Sequence, residues 1–311
     1  MKNIKKIGVS ALAGSLMVFS ANALEMSVTG GASITFTDAG ADDSGNAWSS
    51  GDGLTFSASG ETDGGLTITS SLVLDNGIND DQSVAISTAE MGTITFHAKD
   101  GGSALSSVDD VMPTAYEEPW FGVTSPSKID GKAGNNMFQY TSPSFGGAVV
   151  TATYGQADGT IVNSQTSYAI AYSPEMIDGL TVGYATQDDD SLTAATAHLE
   201  ESTMYVKYTF GSITAGIQKS ESDAGTASED MESVGMAVSY AISDELSISY
   251  GTHEVETPND AADDDQDAAL LSASYTSGGM SISASAGSVD NVANVATADK
   301  DTYEISMSFA F

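Results

Sequence analysis

Histidines and runs of aspartate are the side chains in this sequence with the most obvious chemical potential. His97, His198 and His253 stand far apart, and none has a nucleophile or a second metal ligand at a suitable spacing. Two aspartate triplets, 188–190 and 263–265, offer the carboxylate oxygens that Ca²⁺ and Mg²⁺ prefer. We predict no catalytic residue and no required cofactor, and a candidate Ca²⁺ or Mg²⁺ site at Asp188, Asp190, Asp263 and Asp265. Neither triplet has the ligand spacing of an EF-hand, so solvated loops without an ion are the alternative.

The charge balance is strongly acidic and excludes one class of partner. The chain has 43 acidic residues, nine lysines and no arginine, and its formal net charge is −34. Because such a chain has few cations with which to neutralise phosphates, we exclude nucleic acid as a partner. Two interpretations stay open at this point: the acidic surface of a secreted protein, or an electrostatic filter that concentrates cations.

The N-terminal segment has the composition of a secretory signal. Three lysines within the first six residues precede a weakly apolar stretch, 7–20, and the motif Ala21-Asn22-Ala23 follows as a cleavage site. We predict that residues 1–23 are removed and that residues 24–311 form one exported domain. No later window holds the roughly 20 apolar residues that a membrane-spanning helix needs.

Apolar and polar residues alternate with a period of two along most of the chain, whereas helical periodicity is nearly absent. Near the C-terminus, Tyr303, Ile305 and Met307 alternate with Glu304 and Ser306. Alternation alone would also fit a soluble β-sandwich. We predict sixteen strands, an even number as in single-chain bacterial barrels, at 25–37, 53–61, 65–74, 82–90, 92–99, 135–141, 146–156, 164–173, 179–186, 199–210, 212–220, 229–241, 245–254, 267–276, 279–287 and 300–311.

Short and long connections between these strands alternate, which a sandwich has no reason to do. The long connections are 38–52, 75–81, 100–134, 157–163, 187–198, 221–228, 255–266 and 288–299. Outer-membrane barrels have this arrangement, with short periplasmic turns and long external loops. We therefore predict an all-β fold, a 16-stranded antiparallel transmembrane β-barrel.

Aromatic residues cluster where membrane interfaces would lie. Seven of them stand at strand ends beside the short turns, namely Tyr140, Phe145, Tyr172, Phe210, Tyr240, Tyr275 and Phe311. Tyr154, Tyr184 and Tyr250 lie further along their strands. Such girdles are typical of barrels in membranes, although aromatic residues are also enriched in strands generally.

Three features carry a resemblance to a known family. The segment 135–147 has the pattern Asn-Asn-x-x-x-Tyr-x-Ser-Pro-x-Phe-x-Gly, the chain ends on Phe311, and the connection 100–134 follows the fifth strand and is by far the longest. Together they resemble the general porins of Gram-negative bacteria. The resemblance implies a trimeric diffusion channel of the outer membrane, in which the third external loop folds inward and narrows the pore. It also implies that Phe311 is a signal for the outer-membrane assembly machinery.

Strand parity and the resemblance together indicate which residues border the pore. In the fifth strand Ile94, Phe96 and Ala98 would face lipid, so His97 and Lys99 would face the lumen. Lys207 has inward parity in its own strand. In the family, carboxylates of the constriction loop oppose basic residues on the wall; here the loop carboxylates would be Asp100, Asp109, Asp110, Glu117 and Glu118.

The sequence departs from the family pattern on the basic side of the constriction. Family members commonly carry arginines around the segment that here is Met137-Phe138-Gln139, and this chain has none. Lys219 has outward parity, and Lys128 and Lys132 are loop residues that would be the remaining compensation. The eight long connections hold 26 acidic residues against two lysines. We therefore predict a passive outer-membrane channel for small hydrophilic solutes and ions that prefers cations.

Two other functions remain as alternatives, and several partners are expected. One alternative is a barrel that handles a single substrate, and the other is a secreted, acidic, β-rich protein that binds Ca²⁺. For the porin, the resemblance implies a homotrimer in the outer membrane. Divalent ions at the acidic loops would bridge the protein to lipopolysaccharide phosphates. No enzymatic activity is expected, because no acidic pair or histidine has a catalytic setting.

Overall fold

The computed structural model describes residues 25–38, 47–122, 129, 131, 134–156, 164–190, 199–223, 230–257, 264–296 and 298–311, apart from the side chain of Asp190. The predicted signal segment 1–23 lies outside the described residues. So do several residues singled out in the sequence, namely Lys128, Lys132, His198 and Asp263.

Sixteen strands make up almost all of the regular structure in the described residues, as the alternating pattern predicts. In chain order β1 to β16 are Glu25–Asp38, Trp48–Glu61, Thr67–Asp75, Ile78–Thr88, Gly92–Lys99, Met137–Thr141, Ala148–Gly155, Ser164–Tyr172, Leu180–Asp190, Leu199–Phe210, Ile213–Asp223, Met231–Ala241, Leu246–Glu256, Gln266–Ser277, Met280–Asp290 and Lys300–Ala310. One short 3₁₀ helix, Val292–Asn294, precedes the last strand. Among the described residues, no helix has the length and apolarity needed to cross a membrane.

The strands form one closed antiparallel barrel, which confirms the predicted fold. Each strand pairs with its neighbours in sequence, and β1 pairs with β16 to close the ring. At this seam the main chains of Gly30 and Phe311 exchange two hydrogen bonds, at 2.7 and 2.9 Å. The closed ring gives each strand a hydrogen-bonded neighbour on both sides, which is the condition for a sheet to cross a membrane.

Alternation along each strand separates an apolar outer face from a polar inner face. Outward side chains such as Met204, Val206 and Tyr208 are exposed, whereas Thr203 and Tyr205, which alternate with them, are buried. All seven aromatic residues beside the short turns are exposed on the outer surface, and so are Tyr154, Tyr184 and Tyr250. Because these rings lie on the outer face, they are placed as membrane-interface girdles require.

Two of the external connections are shorter than predicted. In place of the predicted long loop 75–81, a two-residue turn joins β3 to β4 in a hairpin. The two turn residues, Asn76 and Gly77, both have positive φ, 48° and 75°. Positive φ at both central residues is the requirement of a type I′ turn, and Asn-Gly is the pair that meets it best. β2 also begins at Trp48, so the first external loop is shorter than predicted.

Candidate functional site: the lumen and loop L3

We call the connection between β5 and β6, residues 100–134, loop L3, and the part of it that the structure describes turns into the barrel. Its base is closed by Gly101 and Gly134, whose main chains exchange hydrogen bonds of 2.9 and 2.8 Å. A Cβ atom on Gly101 would lie 2.5 Å from the Cβ of His97, so the chain can turn inward here only without a side chain. Asp100, just before it, has a φ of 50° and donates its N–H to the side chain of Asn135 at 3.1 Å.

Loop L3 is anchored on the inner wall by an apolar cluster. Ala104 and Leu105 are fully buried, and they pack with Val108 and Met112 of the loop. The wall side of the cluster consists of Ala169, Ala185, Tyr205 and Ala237, from β8, β9, β10 and β12. Three of these four wall residues are alanines, which leave room for the loop side chains. Burying a leucine side chain of this kind contributes about 1.5–3 kcal/mol.

Polar side chains of the wall hold the loop's main chain. The Ala104 N–H donates to Ser167 Oγ at 2.7 Å. Gln218 of β11 donates from Nε2 to the carbonyls of Val108 and Asp109 at 2.9 and 2.7 Å. Its Oε1 accepts the N–H of Val111 at 3.3 Å. Gln218 therefore holds three backbone groups of the loop, two carbonyls and one N–H. These groups are removed from water by the docking of the loop and need such partners.

The tip of L3 reaches the last strands of the barrel. The Ala115 N–H donates to Ser249 Oγ at 2.8 Å, and Ser272 Oγ donates to the Glu117 carbonyl at 3.2 Å. The Tyr116 hydroxyl donates to Oε1 of Glu304 on β16. Loop L3 thus contacts the inner wall from β8 to β16 and does not hang freely in the lumen.

Beyond the tip, three further contacts fix the returning part of the loop. The Trp120 ring meets the His253 ring edge to face, with centroids 4.7 Å apart. Pro119 lies over Gly251, where a Cβ would be 2.9 Å from the proline ring. Lys300 of β16 donates from Nζ to the Gly122 carbonyl at 3.1 Å.

The five predicted loop carboxylates have different surroundings. Asp109 is buried, and its Oδ2 accepts the N–H of Gly131 at 3.0 Å, so it holds the loop together. Asp110 and Asp100 are exposed, and Glu117 and Glu118 are half-buried. Four of the five are therefore at least partly open to solvent, and their action on a solute stays a prediction, whereas Asp109 has a structural position.

Two titratable groups at the tip are perturbed by their surroundings. Burial, followed by repulsion from the carboxylate of Glu304, raises the pKa of Glu117 above its usual range. Burial and the hydrogen bond to Glu304 raise the pKa of Tyr116, so its phenol keeps its proton. The tip therefore combines a neutral phenol with two neighbouring carboxyl groups.

The three predicted pore-wall residues also differ. His97 lies on the inner face, and its Nε2 is 3.1 Å from Oε1 of Gln139. Lys207 lies on the inner face of β10, opposite Thr181 and Gly216. The prediction for Lys99 is wrong, because a bulge inserts Ala98 and pairs Lys99 with Gln82, an exposed residue of the outer face.

Sequence reasoning missed two inward-facing charges on β16. Lys300 and Glu304 share the inner face with buried Thr302 and Ser306. Their parity was available from the alternation of the last strand, which places every even-numbered residue inward. The contacts that give them importance, to Gly122 and Tyr116, were not available from the sequence.

Of the four predicted metal ligands, only Asp188 and Asp265 have side chains that the structure describes, and these two do not fall in one group of possible ligands. Asp188 lies on β9, paired with Thr166 and Glu200, and Asp263 lies outside the described residues. Asp265 instead stands near two outward carboxylates of β13, and ligand atoms of Glu254, Glu256 and Asp265 all lie within 4.8 Å of one another. Three carboxylates this close could share one Ca²⁺, which takes oxygen ligands in flexible geometry.

The inner face of β1 to β4 lies opposite the docked loop. None of the loop contacts described above involves this face, and we call it the uncovered wall. Its side chains are small and mostly hydroxylic, for example Ser33, Thr35, Thr55 and Ser71. A groove of about 570 Å³ runs along it, with Gly31, Gly51 and Gly53 in its lining. The described inward positions of these strands carry acids but no lysine or arginine.

A closed barrel with an apolar outer face, a polar lumen and a loop docked inside defines a class of protein, the outer-membrane diffusion channels. The chain belongs to one family of that class, the Gram-negative porins, whose family profile matches residues 9–311. The predicted family and its outer-membrane location are thereby confirmed. No curated protein sequence matches the chain.

Solved structures agree with this assignment at the level of the fold. The anion-selective porin from Comamonas acidovorans superposes with a TM-score of 0.68 at 15% identity, covering 93% of this chain and 100% of that one. A porin structure refined at 1.8 Å gives a TM-score of 0.69 at 19% identity, covering 92% and 100%. The trimer form of OmpT, an outer membrane protein of Vibrio cholerae, gives 0.66 at 14% identity, covering 93% and 99%.

Proposed function

We propose that this porin is a passive channel for small hydrophilic solutes and ions that favours cations. The observation that carries the proposal is the uncovered wall. A transverse field across a pore needs basic residues facing the acidic loop, and the described inner face of β1 to β4 has none. Carboxylates therefore dominate the field, and they raise the local concentration of cations.

The charges on the two sides of the lumen support a preference for cations. Asp110, Glu117 and Glu118 line the loop side, and Asp75 and Asp81 belong to the opposite wall. The two lysines described on the inner face, Lys207 and Lys300, lie on β10 and β16, which belong to the wall that the loop crosses. A porin of the same fold is described as anion-selective, so the sign must come from such residues and not from the fold.

A planar bilayer under a KCl gradient tests the proposal. The wild-type protein should give stepwise conductance and a reversal potential of cationic sign, which weakens as salt rises and screens the carboxylates. Thr55→Lys, on the uncovered wall, should move the potential toward anions. Ser50→Lys places the same charge on the outer face of the same strand, and it should leave the potential unchanged. An anionic wild-type potential would overturn the proposal.

We also propose that the protein forms homotrimers, which the trimer form of Vibrio cholerae OmpT supports by resemblance of fold. Porins are as a class non-enzymatic channels, and we extend this to the present chain. A secreted, acidic surface protein would not need the outward belt of exposed apolar side chains, which includes Ile94, Met204 and Leu271. Recognition of Phe311 by the assembly machinery and ion-bridged binding of lipopolysaccharide stay predictions.

A further inference from the structure

The last external connection, residues 291–299 between β15 and β16, lies across two neighbouring strands, and we call it loop L8. The Ala293 N–H donates to Oε1 of Gln266 on β14 at 3.1 Å. One strand further on, Nδ2 of Asn294 donates to the Val255 carbonyl of β13 at 3.1 Å. The loop therefore extends from β15 across β14 to β13, away from β16, the strand into which it leads.

The contacts of L8 lie on the inner side of the barrel. His253 contacts Trp120 of loop L3, so it faces inward, and Val255 follows it by two residues on the same face of β13. Gln266 pairs with Val255 and therefore shares this face. Val255 is 2% exposed, and Gln266 is fully buried. Because the side chain of Gln266 points inward and ends on the L8 main chain, the loop covers the inner face of the wall at its external rim.

The backbone of L8 is closed on itself and strained. Its ends are joined by the Val292 N–H, which donates to the Ala298 carbonyl at 2.8 Å. Asn291, Ala293 and Asn294 all have left-handed φ values, 53°, 60° and 57°. Asparagine tolerates this conformation, but alanine does not, because its Cβ comes too close to the following carbonyl oxygen. Such strain persists only where surrounding contacts impose it, so the contacts with β13 and β14 hold the loop in this shape.

Asn294 is the side chain that seats the loop on the wall. It is 5% exposed, and its amide nitrogen has a partner in the Val255 carbonyl, as a buried polar group requires. Its neighbours Ala293, Val295 and Ala296 are exposed. The loop is therefore held by one buried side chain, while the surface beside it is open to solvent.

Loop L8 is almost free of charge, unlike the rest of this acidic protein. Residues 291–298 have the sequence Asn-Val-Ala-Asn-Val-Ala-Thr-Ala, without an acidic or basic side chain. Asp299, which follows, is used within the loop, where its Oδ1 accepts the Asn291 N–H at 3.2 Å. The loop therefore occupies space at the mouth without adding to the field of the carboxylates. Its effect should depend on the size of a solute and not on the sign of its charge.

The two inward loops, L3 and L8, lie on the same side of the barrel. Lys300, the first residue after L8, donates to the Gly122 carbonyl of loop L3 at 3.1 Å. Trp120 of L3 lies against His253, two residues from the Val255 carbonyl that binds L8. None of the described hydrogen bonds of L8 involves the uncovered wall, which therefore borders the passage that both loops leave.

We propose that loop L8 is a second inward loop that narrows the external mouth of the pore, and that Asn294 is the positioning residue that holds it there. L8 then limits the size of the hydrophilic solutes that enter, and these pass it on the side of the uncovered wall. The inference rests on the proposed channel function and adds a size limit at the mouth that does not depend on charge.

A shortened loop tests whether L8 narrows the pore. Residues 291–298 would be replaced by Asn-Gly, the two-residue turn that this protein uses between β3 and β4. This turn keeps the register in which Val289 pairs with Lys300. We expect a higher single-channel conductance in KCl than for wild type. In liposome swelling, the entry rate of the trisaccharide raffinose should rise relative to that of the monosaccharide arabinose.

A point variant tests the role of Asn294. Asn294→Ala removes the bond to the Val255 carbonyl, which shifts the equilibrium between docked and undocked loop by a factor of about five. Recordings should therefore reach the conductance of the shortened variant about five times as often as those of wild type. Asn79→Ala is the matched control, because it makes the same substitution at the external rim, on an exposed residue opposite Leu74. Resistance to unfolding in SDS would show that each barrel is formed.

The outcomes separate this inference from the proposed function. If the folded, shortened variant has the conductance and the raffinose exclusion of wild type, L8 does not narrow the pore and the inference is wrong. If Asn294→Ala behaves like Asn79→Ala, Asn294 does not hold the loop. All variants should keep the wild-type reversal potential, and a change in its sign would show that L8 acts through charge. A wild-type potential of anionic sign would overturn the cation preference alone, while the conductances would still decide the role of L8.

Discussion

Replacing Gln218 by alanine should release loop L3 from the wall without unfolding the barrel. The side chain makes three hydrogen bonds to the loop, two donated to carbonyls and one accepted from the Val111 N–H. Each contributes about 1 kcal/mol net, so the docking of the loop should weaken by about 3 kcal/mol. At about 1.4 kcal/mol per factor of ten, the undocked fraction should rise about 150-fold.

The absence of cysteine from the chain makes this opening directly measurable. Ala237 is buried under the loop, in the cluster with Leu105 and Met112, so a thiol introduced by Ala237→Cys is shielded while the loop is docked. Its modification by a water-soluble thiol reagent then requires opening of the loop. When closing is fast, the labelling rate follows the opening equilibrium. We expect labelling in the Gln218→Ala background to be about 150-fold faster.

The matched control is Thr214→Ala, combined with the same Ala237→Cys substitution. Thr214 lies on the same strand as Gln218, and its hydroxyl bonds to Thr209 of β10 at 3.0 Å and not to the loop. The labelling rate of this double variant should equal that of Ala237→Cys alone. If Gln218→Ala raises the labelling rate less than about threefold, these hydrogen bonds do not hold the loop. The role given to Gln218 would then be wrong.

Three further predictions concern other parts of the structure. Gly131→Val should open the loop as well, because a side chain there collides with the hydroxyl of Ser103 and the main chain of the loop's first turn, and the Ala237→Cys labelling assay applies. Gly53→Trp should lower single-channel conductance, since the nearest atom to a Cβ there is 3.6 Å away and the side chain would extend into the groove; Gly53→Ala is its control. Glu256→Gln should weaken any Ca²⁺ binding seen by calorimetry at the carboxylate group of β13, and wild-type protein that binds no Ca²⁺ would refute that site.

The sequence is sufficient to predict the strands but not the path of the loop. A strand's two faces are visible in local alternation, as in Tyr303, Ile305 and Met307, because side chains in a strand repeat every two residues. Loop contacts such as that of Gln218 with Val108 join residues 110 positions apart. They depend on where the closed barrel brings β11, which local pattern cannot show.

Lys99 shows how parity fails. The alternation of β5 places it inward, but the extra residue Ala98 shifts the register, and Lys99 pairs with Gln82 and donates to the Asn79 carbonyl. A one-residue shift moves every following side chain to the other face. The residues around Ala98 include no type that indicates a bulge, so the bulge could not be predicted from the sequence.

The two-residue turn at Asn76 and Gly77 leaves part of β2 without a neighbour. β3 pairs with β2 only as far as Gly53 opposite Asp75, yet β2 continues outward to Trp48 in pairing with β1. Between Ser49 and Asp52, main-chain groups that point away from β1 have no β3 residue opposite them, although the Asp52 carbonyl accepts the Asn76 N–H at 3.0 Å. A ring of strands otherwise removes sheet edges; this short stretch of the rim keeps one, and its amides should exchange with solvent faster than those of β2 below Gly53.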